Sequence, residues 1–547
     1  MARCAVRSIH YLQKKMEPAY AGCYPVSNFL NNNMKQPQPV AQGAVARLVQ
    51  MADAAWEQRH FQPCFELMEQ ASRLDPANFG ILLNLGQRYG LRYDYAAAER
   101  CFEQAVGVAT NKTHVLTAVG ELSYFFASPK LPEQYFQRAM EQPDAPAETF
   151  AKAAEFYERL RRMEEVSKLL DRALQLDSRC GLALLARARL LRQAGNLEEA
   201  GRILRPILAT AEREVRIRGY YELGDILDRQ GRYDEAMTAF LEAKKILLEN
   251  ARPMIAKLLE HRAIVRPRRT DIKAEAMQGW FDARYELQPF HRLALLAGHA
   301  RSGTTLLEQV LDAHPDIISA EETEIFMDDA FLPLRAGLPP NITMFGVLKL
   351  AQTSALRQSR EHFFRNMELH LNQPIAGRLL LDKNPVNTLR IAAFARIFPE
   401  AKILLMLRDP RDVVMSCFMQ PYLHIEVTGL SYLTLDLTVD DYAFVMEAWK
   451  AHGPLLKNPW LEVRYEDAVA DLESVSRRVL DFLGVSWDAS VLKFDEHART
   501  KKVMSPTYAD VTQPVYKRAQ GRWRNYEKYL KPYLPKLEPF VKAFGYE

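Results

Sequence analysis

The strongest constraint on the fold is an internal repeat of 34 residues in the first half of the chain. Aligned at this offset, small residues coincide in two columns, namely Ala71, Ala105, Ala139 and Ala173, and Gly86, Gly120, Ala154 and Ala188. Small side chains at such a period allow two helices to cross closely, and larger apolar side chains fill the space between them. A unit of this kind cannot bury its apolar face alone, so the pattern predicts a stack of helix pairs with a concave groove.

The unit is clearest between residues 82 and 105. Its first half reads L-x-x-L-G-x-x-Y from Leu82 to Tyr89, and its second half reads A-x-x-x-F-x-x-A from Ala98 to Ala105. These letters resemble the tetratricopeptide repeat at its signature positions. We predict five to six units in residues 44–250. We expect their groove to bind a partner or acceptor protein, or to support self-association. The alternative is a helical scaffold that only packs on the next domain.

Composition limits the class of protein. Of the 547 residues, 48% are hydrophobic and 26% are charged, which is typical of a globular protein with two or three domains. The net charge of +4 is close to balance, so we expect no nucleic-acid partner held by bulk charge. No run of about 18 apolar residues occurs, and we therefore expect no membrane span.

Cysteine usage and the first residues indicate a location. The six cysteines, at positions 4, 23, 64, 101, 180 and 417, include no C-x-x-C pair, and we interpret them as free thiols in a reducing compartment. Residues 1–43 are rich in Asn, Gln and Pro and lack the apolar core of a signal peptide. We predict that they are disordered and end in a linker at 34–43, and that the protein is cytoplasmic.

The pattern changes to alternating strands and helices in residues 290–547, after a connecting helical segment at 251–289. Short apolar runs predict buried strands at 293–297, 379–381, 403–407 and 461–463. Helical patterns lie at 304–313, 388–397, 411–419, 438–452 and 471–483. The alternation predicts an α/β domain with a parallel sheet, whose ligands bind beyond the carboxyl ends of the strands.

The first cluster of unusual residues follows the first strand. Residues 298–305 read GHARSGTT, which is the register of a phosphate-binding loop of the P-loop type with a threonine in place of its lysine. Gly298 and Gly303 allow a tight turn around an anion, and the helix start at Thr304 and Thr305 favours negative charge. Arg301 adds a forked donor that suits phosphate or sulfonate. The missing lysine argues against triphosphate chemistry.

The second cluster is KILLMLRDPRDVVMS, residues 402–416. A strand delivers Arg408 to the edge of the sheet, and Ser416 lies two turns into the next helix. Both residues are placed to meet a second phosphate. For Asp412 we favour an ordinary surface position in the first turn of this helix, and Arg411 is open to the same interpretation.

Together the two loops resemble the sulfotransferase family, over roughly residues 290–546. The closest pattern within it is that of the tyrosylprotein sulfotransferases, and further matching segments are LDAHPDIISAEET at 311–323, LDKNP at 381–385, VRYED at 463–467 and QGRW at 520–523. The resemblance implies transfer of a sulfuryl group from 3′-phosphoadenosine 5′-phosphosulfate to an acceptor hydroxyl, without a metal. The acceptor is a protein, a carbohydrate or a small molecule.

The resemblance also implies roles for single residues. Glu322 occupies the position of the catalytic base, and the alternative is that Glu321 or Glu322 caps a helix or pairs with an arginine. Lys383 occupies the position of the lysine that meets the leaving-group oxygen. Cofactor-binding residues are then Arg301, Ser302, Gly303, Thr304 and Thr305 for the 5′ end, Arg408 and Ser416 for the 3′-phosphate, and Tyr465 and Arg522 near the nucleotide.

One more catalytic position and two departures complete the comparison. Counting back from Pro514 places Thr507 where the family has a hydroxyl that stabilises the transition state, with Ser505 as the alternative. Glu324 and Gln420 stand where the animal tyrosine-modifying enzymes carry arginines. Both departures remove positive charge and argue against an acidic tyrosine peptide as the acceptor.

Three hypotheses of function follow. The leading one is a sulfotransferase whose repeats recruit an acceptor or a partner. The second is an interaction scaffold with an inactive nucleotide-binding domain, against which the intact candidate residues argue. The third is a P-loop kinase, against which the missing lysine argues.

Overall fold

The structure is a computed structural model that describes residues 39–126, 130–249, 251–422, 427–500, 512, 515 and 518–546. Backbone contacts group these residues into two compact units. One contains the described residues up to Leu190 together with Leu369–Asn372, and the other contains Leu191–Glu368 and the described residues from Gln373 onward. The predicted domain limits at 43, 250 and 289 stay predictions.

The first unit consists of the repeat helices. Its helices are α1 (Pro39–Glu57), α2 (Phe61–Leu74), α3 (Phe79–Leu91), α4 (Tyr95–Val108), α5 (Lys112–Leu122), α6 (Lys130–Met140), α7 (Ala147–Arg159), α8 (Met163–Leu176) and most of α9 (Gly181–Gln193). Consecutive helices pack in pairs, α1 with α2 and so on to α8. Helix α1 begins inside the predicted linker at 34–43, and the rest of the predicted N-terminal segment lies outside the described residues.

Caps and close contacts explain why this sequence forms paired helices. Asn78 and Asp94 cap α3 and α4 by accepting hydrogen bonds from backbone N–H groups one turn ahead, at 3.3 and 2.9 Å. At Gly86 an added Cβ atom would lie 2.6 Å from the Phe102 ring, and at Gly120 it would lie 2.9 Å from the Phe136 ring. The small-residue column of the repeat is thus the line along which the two helices of a pair touch.

The second unit begins with further helices. They are α10 (Leu197–Leu204), α11 (Ile207–Thr210), α12 (Arg213–Arg229), α13 (Tyr233–Leu248), α14 (Arg252–Val265) and α15 (Ala274–Asp282). Helices α12 and α13 form the last repeat, and Gly224 meets Phe240 as Gly86 meets Phe102, with 2.4 Å between an added Cβ atom and the ring. The predicted helical repeat region is confirmed.

A five-stranded parallel sheet follows in the same unit. Its strands are β1 (Leu293–Gly298), β2 (Ile317–Glu321), β3 (Leu379–Lys383), β4 (Lys402–Leu407) and β5 (Trp460–Arg464), in the order β2-β3-β1-β4-β5. The register pairs Glu321 with Lys383 and Gly298 with Met406. All residues of β1 and β3 are buried, as expected for apolar runs in a parallel sheet. The four predicted strands are present, but the prediction that all four are buried is wrong for β5, which lies at the edge of the sheet and is buried only at Val463.

The remaining helices cover the sheet. They are α16 (Thr304–Asp312), α17 (Met344–Leu350), α18 (Thr353–Leu371), α19 (Ile391–Ile397), α20 (Pro410–Phe418), α21 (Val427–Ser431), α22 (Leu435–His452), α23 (Tyr465–Ala470), α24 (Leu472–Leu483), α25 (Phe494–Thr500), α26 (Glu527–Leu530) and α27 (Leu534–Ala543). Leu296, Leu381 and Val463 of the sheet share a core with Val310 of α16 and Val479 of α24. The helix predicted at 388–397 begins as a 3-10 turn at Pro385 and continues as α19.

Candidate active site

The loop after β1 has the backbone of an anion-binding turn. Gly298, Arg301 and Gly303 all have positive φ, at 147°, 68° and 99°. An added Cβ atom at Gly298 would lie 2.6 Å from the Met406 carbonyl oxygen, and one at Gly303 would lie 2.5 Å from the Tyr465 ring. These two positions therefore require glycine, and α16 begins directly after them, which leaves its first N–H groups at the loop.

The two predicted anion-binding clusters meet at the edge of the sheet. The Nε atom of Arg301 donates to Ser416 Oγ at 3.2 Å, and Arg408 donates to the Arg301 carbonyl oxygen at 3.1 Å and to the Ala519 carbonyl oxygen at 2.5 Å. The guanidinium of Arg408 lies 4.9 Å from the centre of the Tyr465 ring. Its Nε atom is buried and makes no hydrogen bond with the described residues. The site thus holds two cations and an unsatisfied donor in one place.

On β3, the strand next to β1, Lys383 lies among carboxylates. Its Nζ atom donates to Glu322 Oε1 at 2.7 Å and lies 3.4 Å from Glu321 Oε1 and 3.4 Å from Glu308 Oε2. The N–H of Glu322 donates to the Lys383 carbonyl oxygen at 2.7 Å, and Glu322 has φ 49°. The chain therefore turns sharply at the end of β2, and this turn brings the Glu322 carboxylate over the end of β3.

Burial and the surrounding carboxylates act on Lys383 in opposite directions. Its side chain has no exposed surface, and burial alone would lower its pKa. The charges of Glu308, Glu322 and Glu321 outweigh burial and raise the pKa above the usual range. Lys383 is therefore a charged ammonium group, fixed by carboxylates at the carboxyl end of β3.

The sequence analysis did not identify Glu308. It lies on the face of α16 that packs on the sheet, has no exposed surface, and accepts a hydrogen bond from Ser319 Oγ at 3.0 Å. A signal was present in the sequence, because a single carboxylate interrupts the otherwise apolar face of the helix TTLLEQVL. Its partner lies 75 positions further along the chain, which no local pattern reveals.

Asp382 lies next to Lys383 in β3 and faces the other side of the sheet. It is fully buried, and neither carboxylate oxygen has a hydrogen-bond partner among the described residues. Burial, with a smaller contribution from the charge of Glu324, raises the pKa of Asp382 to about 8. The carboxyl group is therefore protonated in neutral solution.

Behind the anion loop lies a second charged network. The His299 Nε2 atom is 3.3 Å from Asp441 Oδ2, and Arg262 of α14 binds Asp441 and also Asp440, the latter at 2.8 Å. Burial alone would lower the pKa of His299, but the Asp441 carboxylate and Cys417 outweigh it and raise the pKa to about 10. The network ties the loop to α22 and α14.

The interpretation of Asp412 as a surface residue is wrong. The side chain is buried, and its carboxylate accepts hydrogen bonds from the N–H groups of Gly521 at 2.7 Å and Trp523 at 2.9 Å. This carboxylate holds the segment that supplies the Ala519 carbonyl oxygen to Arg408. Arg411 instead binds Asp409 through two hydrogen bonds of 2.9 and 2.8 Å and packs over the Trp523 ring.

The structure brings most of the predicted site residues together. Tyr465 is buried against Gly303 and Arg408, and its place near the nucleotide stays a prediction. The guanidinium of Arg522 binds the Asp228 carboxylate of α12 at 2.9 Å, and Tyr526 donates to the same carboxylate at 2.6 Å. Thr507 and its alternative Ser505 lie outside the described residues.

Two absences hold for the described ranges. They contain no cluster of three or more His, Cys, Asp and Glu side chains that could hold a metal ion. None of their helices combines the length and the apolar character that crossing a membrane requires.

Two protein-family models match the chain. Residues 294–489 match the sulfotransferase family, and residues 217–246, which lie in α12 and α13, match the tetratricopeptide repeat. The first match includes all five strands and the loops at their ends. Both resemblances noted in the sequence are therefore confirmed.

Individual relatives are distant. The chain is 27% identical over 236 residues to protein-tyrosine sulfotransferase A of Caenorhabditis elegans, covering 39% of this chain and 58% of that one. It is 24% identical over 346 residues to an uncharacterized protein of Aquifex aeolicus, covering 60% of this chain and 42% of that one. The chain thus spans about half the length of the curated relatives it matches.

A solved structure with some similarity is the sulfotransferase domain from the Synechococcus PCC 7002 olefin synthase. It is 20% identical, and the match covers 43% of this chain and 91% of that one, with a TM-score of 0.32.

Proposed function

Because residues 294–489 form a domain of the sulfotransferase family, we propose that this protein transfers a sulfuryl group from 3′-phosphoadenosine 5′-phosphosulfate to an acceptor hydroxyl. One observation carries the proposal. A lysine-less anion loop, a second cationic cluster at Arg408 and Ser416, and the Glu322–Lys383 pair all lie at the carboxyl ends of the strands of one sheet.

The chemistry of the donor substrate matches this set of groups. The donor carries anions at both ends of its ribose, and its phosphosulfate is activated for transfer without a metal. We assign the 5′ end to Arg301, Ser302, Gly303, Thr304 and Thr305, where helix N–H groups and a guanidinium suit phosphate and sulfonate oxygens. We assign the 3′-phosphate to Arg408 and Ser416, and the nearby base and sugar to Tyr465 and Arg522.

The transfer needs one base and one cation. The acceptor oxygen forms a bond to sulfur while the bond from sulfur to the 5′-phosphate oxygen breaks, and the acceptor proton passes to the Glu322 carboxylate. Lys383 stabilises the negative charge that develops on the departing phosphate oxygen. Thr507 is the proposed hydroxyl that assists at the transferring sulfonate.

The acceptor class is a hydroxyl, and we propose a protein tyrosine as the first candidate because the C. elegans relative is a protein-tyrosine sulfotransferase. Carbohydrates and small phenols or alcohols are the alternatives. We propose that the tetratricopeptide repeats recruit the acceptor or a partner protein. The cytoplasm stays our predicted location; it is supported by Cys64, Cys101, Cys180 and Cys417, which carry free thiols.

The test compares binding and transfer in the full chain. Thermal unfolding is measured with 3′-phosphoadenosine 5′-phosphate and with ATP and magnesium, and labelled donor is then supplied with tyrosine peptides, carbohydrates and phenols. Selective binding stabilises the folded state by about 2.7 kcal/mol at a hundredfold excess over Kd. We expect stabilisation by the bisphosphate alone and labelling of one acceptor class. Stabilisation by ATP alone would favour a kinase, and binding without labelling would favour the scaffold.

Glu322→Gln tests the assignment of the base. The variant keeps the shape of the side chain but cannot accept the acceptor proton, so we expect the transfer rate to fall by about 10²–10⁴-fold. Bisphosphate binding should be retained or tightened, because Lys383 loses a neighbouring negative charge. Glu473→Gln is the matched control, because Glu473 is half exposed on α24 and pairs with Arg477 one turn away. Equal activity of Glu322→Gln and the control would refute the assignment.

A further inference from the structure

The charge around Lys383 is unbalanced. One ammonium group faces three carboxylates, of which Glu322 is the proposed base and Glu321 is its neighbour in β2. The third, Glu308, comes from α16 and is as fully buried as Lys383 itself. A buried carboxylate is costly unless it is paired and hydrogen-bonded, and Glu308 has both a hydrogen bond from Ser319 and the charge of Lys383 nearby.

The position of Lys383 makes a demand on the proposed reaction. The ammonium is 2.7 Å from Glu322 Oε1, so the group that is to stabilise the departing phosphate oxygen is also attracted to the proposed base. A negative charge on the other side of the ammonium balances this attraction. Glu308 Oε2, at 3.4 Å from Nζ, supplies it.

We propose that Glu308 is a positioning residue for sulfuryl transfer, which holds the Lys383 ammonium in place beside the proposed base and offsets part of its charge. The inference rests on the proposed function. It concerns a residue outside the anion loops that acts through Lys383 without touching either substrate.

Ser319 fits the same role. Its hydroxyl donates to Glu308 Oε1 at 3.0 Å, which leaves Oε2 directed at Lys383. Ser319 lies two residues before Glu321 in β2, so one short strand carries both the orienting hydroxyl and a carboxylate of the cluster. Two oxygens with two different partners fix the rotation of the carboxyl group.

Among the described residues, the charged and titratable groups around this centre are Glu321 and Glu322 at the end of β2, Lys383 and Asp382 at the end of β3, Glu308 on α16, and Tyr422 after α20. The pKa of Tyr422 is raised chiefly by burial, then by Cys417, and also by the charge of Glu322. Glu308 faces Lys383 from the helix side of the sheet. A substitution of Glu308 changes the charge at Lys383 and leaves both proposed reacting groups, Glu322 and Lys383, chemically intact.

Glu308→Gln tests the inference, because glutamine keeps the volume and can still accept the Ser319 hydrogen bond. With one negative charge lost, the Lys383 ammonium is less neutralised, so the affinity for 3′-phosphoadenosine 5′-phosphate should rise by about threefold to tenfold. The maximal transfer rate should nevertheless fall, because the ammonium is no longer held from the side of α16.

Two further variants separate charge from structure. Glu308→Asp keeps the negative charge and should retain the wild-type affinity for the bisphosphate. Ser319→Ala keeps the Glu308 charge but removes its orienting hydrogen bond, so it should lower the rate without raising the bisphosphate affinity. A general loss of packing would lower both rate and bisphosphate affinity in every variant.

The outcomes are distinguishable. Unchanged or weaker bisphosphate binding in Glu308→Gln, or an unchanged transfer rate, would overturn the role of Glu308. If the wild-type protein transfers no sulfuryl group to any acceptor, the proposed function fails, but the bisphosphate titration still decides whether Glu308 neutralises Lys383. If Glu308→Gln does not fold, Glu308→Asp and Ser319→Ala still decide, because both keep the negative charge and tighter bisphosphate binding in either would contradict the role of charge.

Discussion

At the scale of single residues, β3 places two groups of opposite character side by side. Lys383 faces α16 and carboxylates that keep it charged, whereas Asp382 faces the other layer, where it has no hydrogen-bond partner among the described residues and is protonated near neutrality. Alternation of side chains along a strand separates the two by one position. The electrostatic behaviour of each residue is thus decided by the face on which it lies.

Asp382→Asn should stabilise the protein in a pH-dependent way. The pKa of Asp382 is raised to about 8 in the folded state, against roughly 3.9 in an unfolded chain. The contribution of the protonated Asp382 carboxyl group to the free energy of unfolding is fully present below pH ~4. As the pH rises from there to about 8, the wild-type protein loses ~1.4 kcal/mol of this free energy per pH unit. Asparagine mimics the protonated form, so its advantage should grow across this window and then level off.

Thermal unfolding of both proteins between pH 4 and 9 checks this expectation. The midpoint difference should widen by about 2–4 °C per pH unit. A constant difference at all pH values would mean that Asp382 is ionised in the folded protein.

At the scale of elements, the loop from Gly298 to Gly303 is built by positive φ angles and by close approach to β4 and Tyr465. The loop is therefore specified by backbone geometry as much as by its cations. His299 and Thr388 hold it from behind: Thr388 Oγ1 accepts from Gly298 N at 2.8 Å and donates to Gly298 O at 2.7 Å.

Gly298→Ala should damage both stability and binding. The new methyl group would lie 2.6 Å from the Met406 carbonyl oxygen, which is backbone and cannot move aside cheaply. We expect a loss of about 2–3 kcal/mol in the free energy of unfolding, and weaker binding of the bisphosphate by about tenfold or more. Denaturant unfolding and a bisphosphate titration measure the two effects.

Gly279→Ala is the matched control. Gly279 lies in α15 with nothing within 4 Å of an added Cβ atom, and alanine in a helix is favoured over glycine by about 0.5–1 kcal/mol. Similar behaviour of the two variants would show that the close approach at Gly298 does not constrain the loop.

At the scale of the whole molecule, the last repeat belongs to the same compact unit as the sheet. Asp228 of α12 binds Arg522 and Tyr526, and Lys244 of α13 donates to the Tyr432 carbonyl oxygen at 2.6 Å. Burial lowers the pKa of Lys244 to about 7. A repeat that resembles a partner-binding module thus also serves as a structural part of the unit that contains the sheet.

Asp228→Asn should show this coupling. It removes the carboxylate from a partly buried ion pair, and we expect a loss of about 1–3 kcal/mol in the free energy of unfolding. Glu473→Gln is again the control, since an exposed pair one turn apart contributes about 0.5 kcal/mol or less. If Arg522 also binds the nucleotide, as its sequence context predicts, the same variant should strengthen bisphosphate binding, because the Asp228 carboxylate no longer neutralises Arg522. An unchanged affinity would mean that Arg522 has only a structural role.

The sequence alone determined those features whose information is local. The 34-residue period, the four strands, the glycine loop and the position of Arg408 at a strand end all depend on spacing within short segments, and the structure agrees with each. The predicted burial holds for three of the four strands and is wrong for β5, which the tertiary structure places at the edge of the sheet. Backbone geometry and side-chain periodicity limit such segments to few conformations.

Only the tertiary structure decided which charges meet. Glu308 pairs with Lys383, which lies 75 positions further along the chain. Asp412 binds Gly521 and Trp523, which lie more than 100 positions away, and Asp228 binds Arg522, which lies 294 positions away. No local pattern encodes such pairs, because any buried charge needs a partner and the chain offers many. Packing of helices on the sheet selects one partner for each, and that selection also determines which carboxylates surround the proposed base.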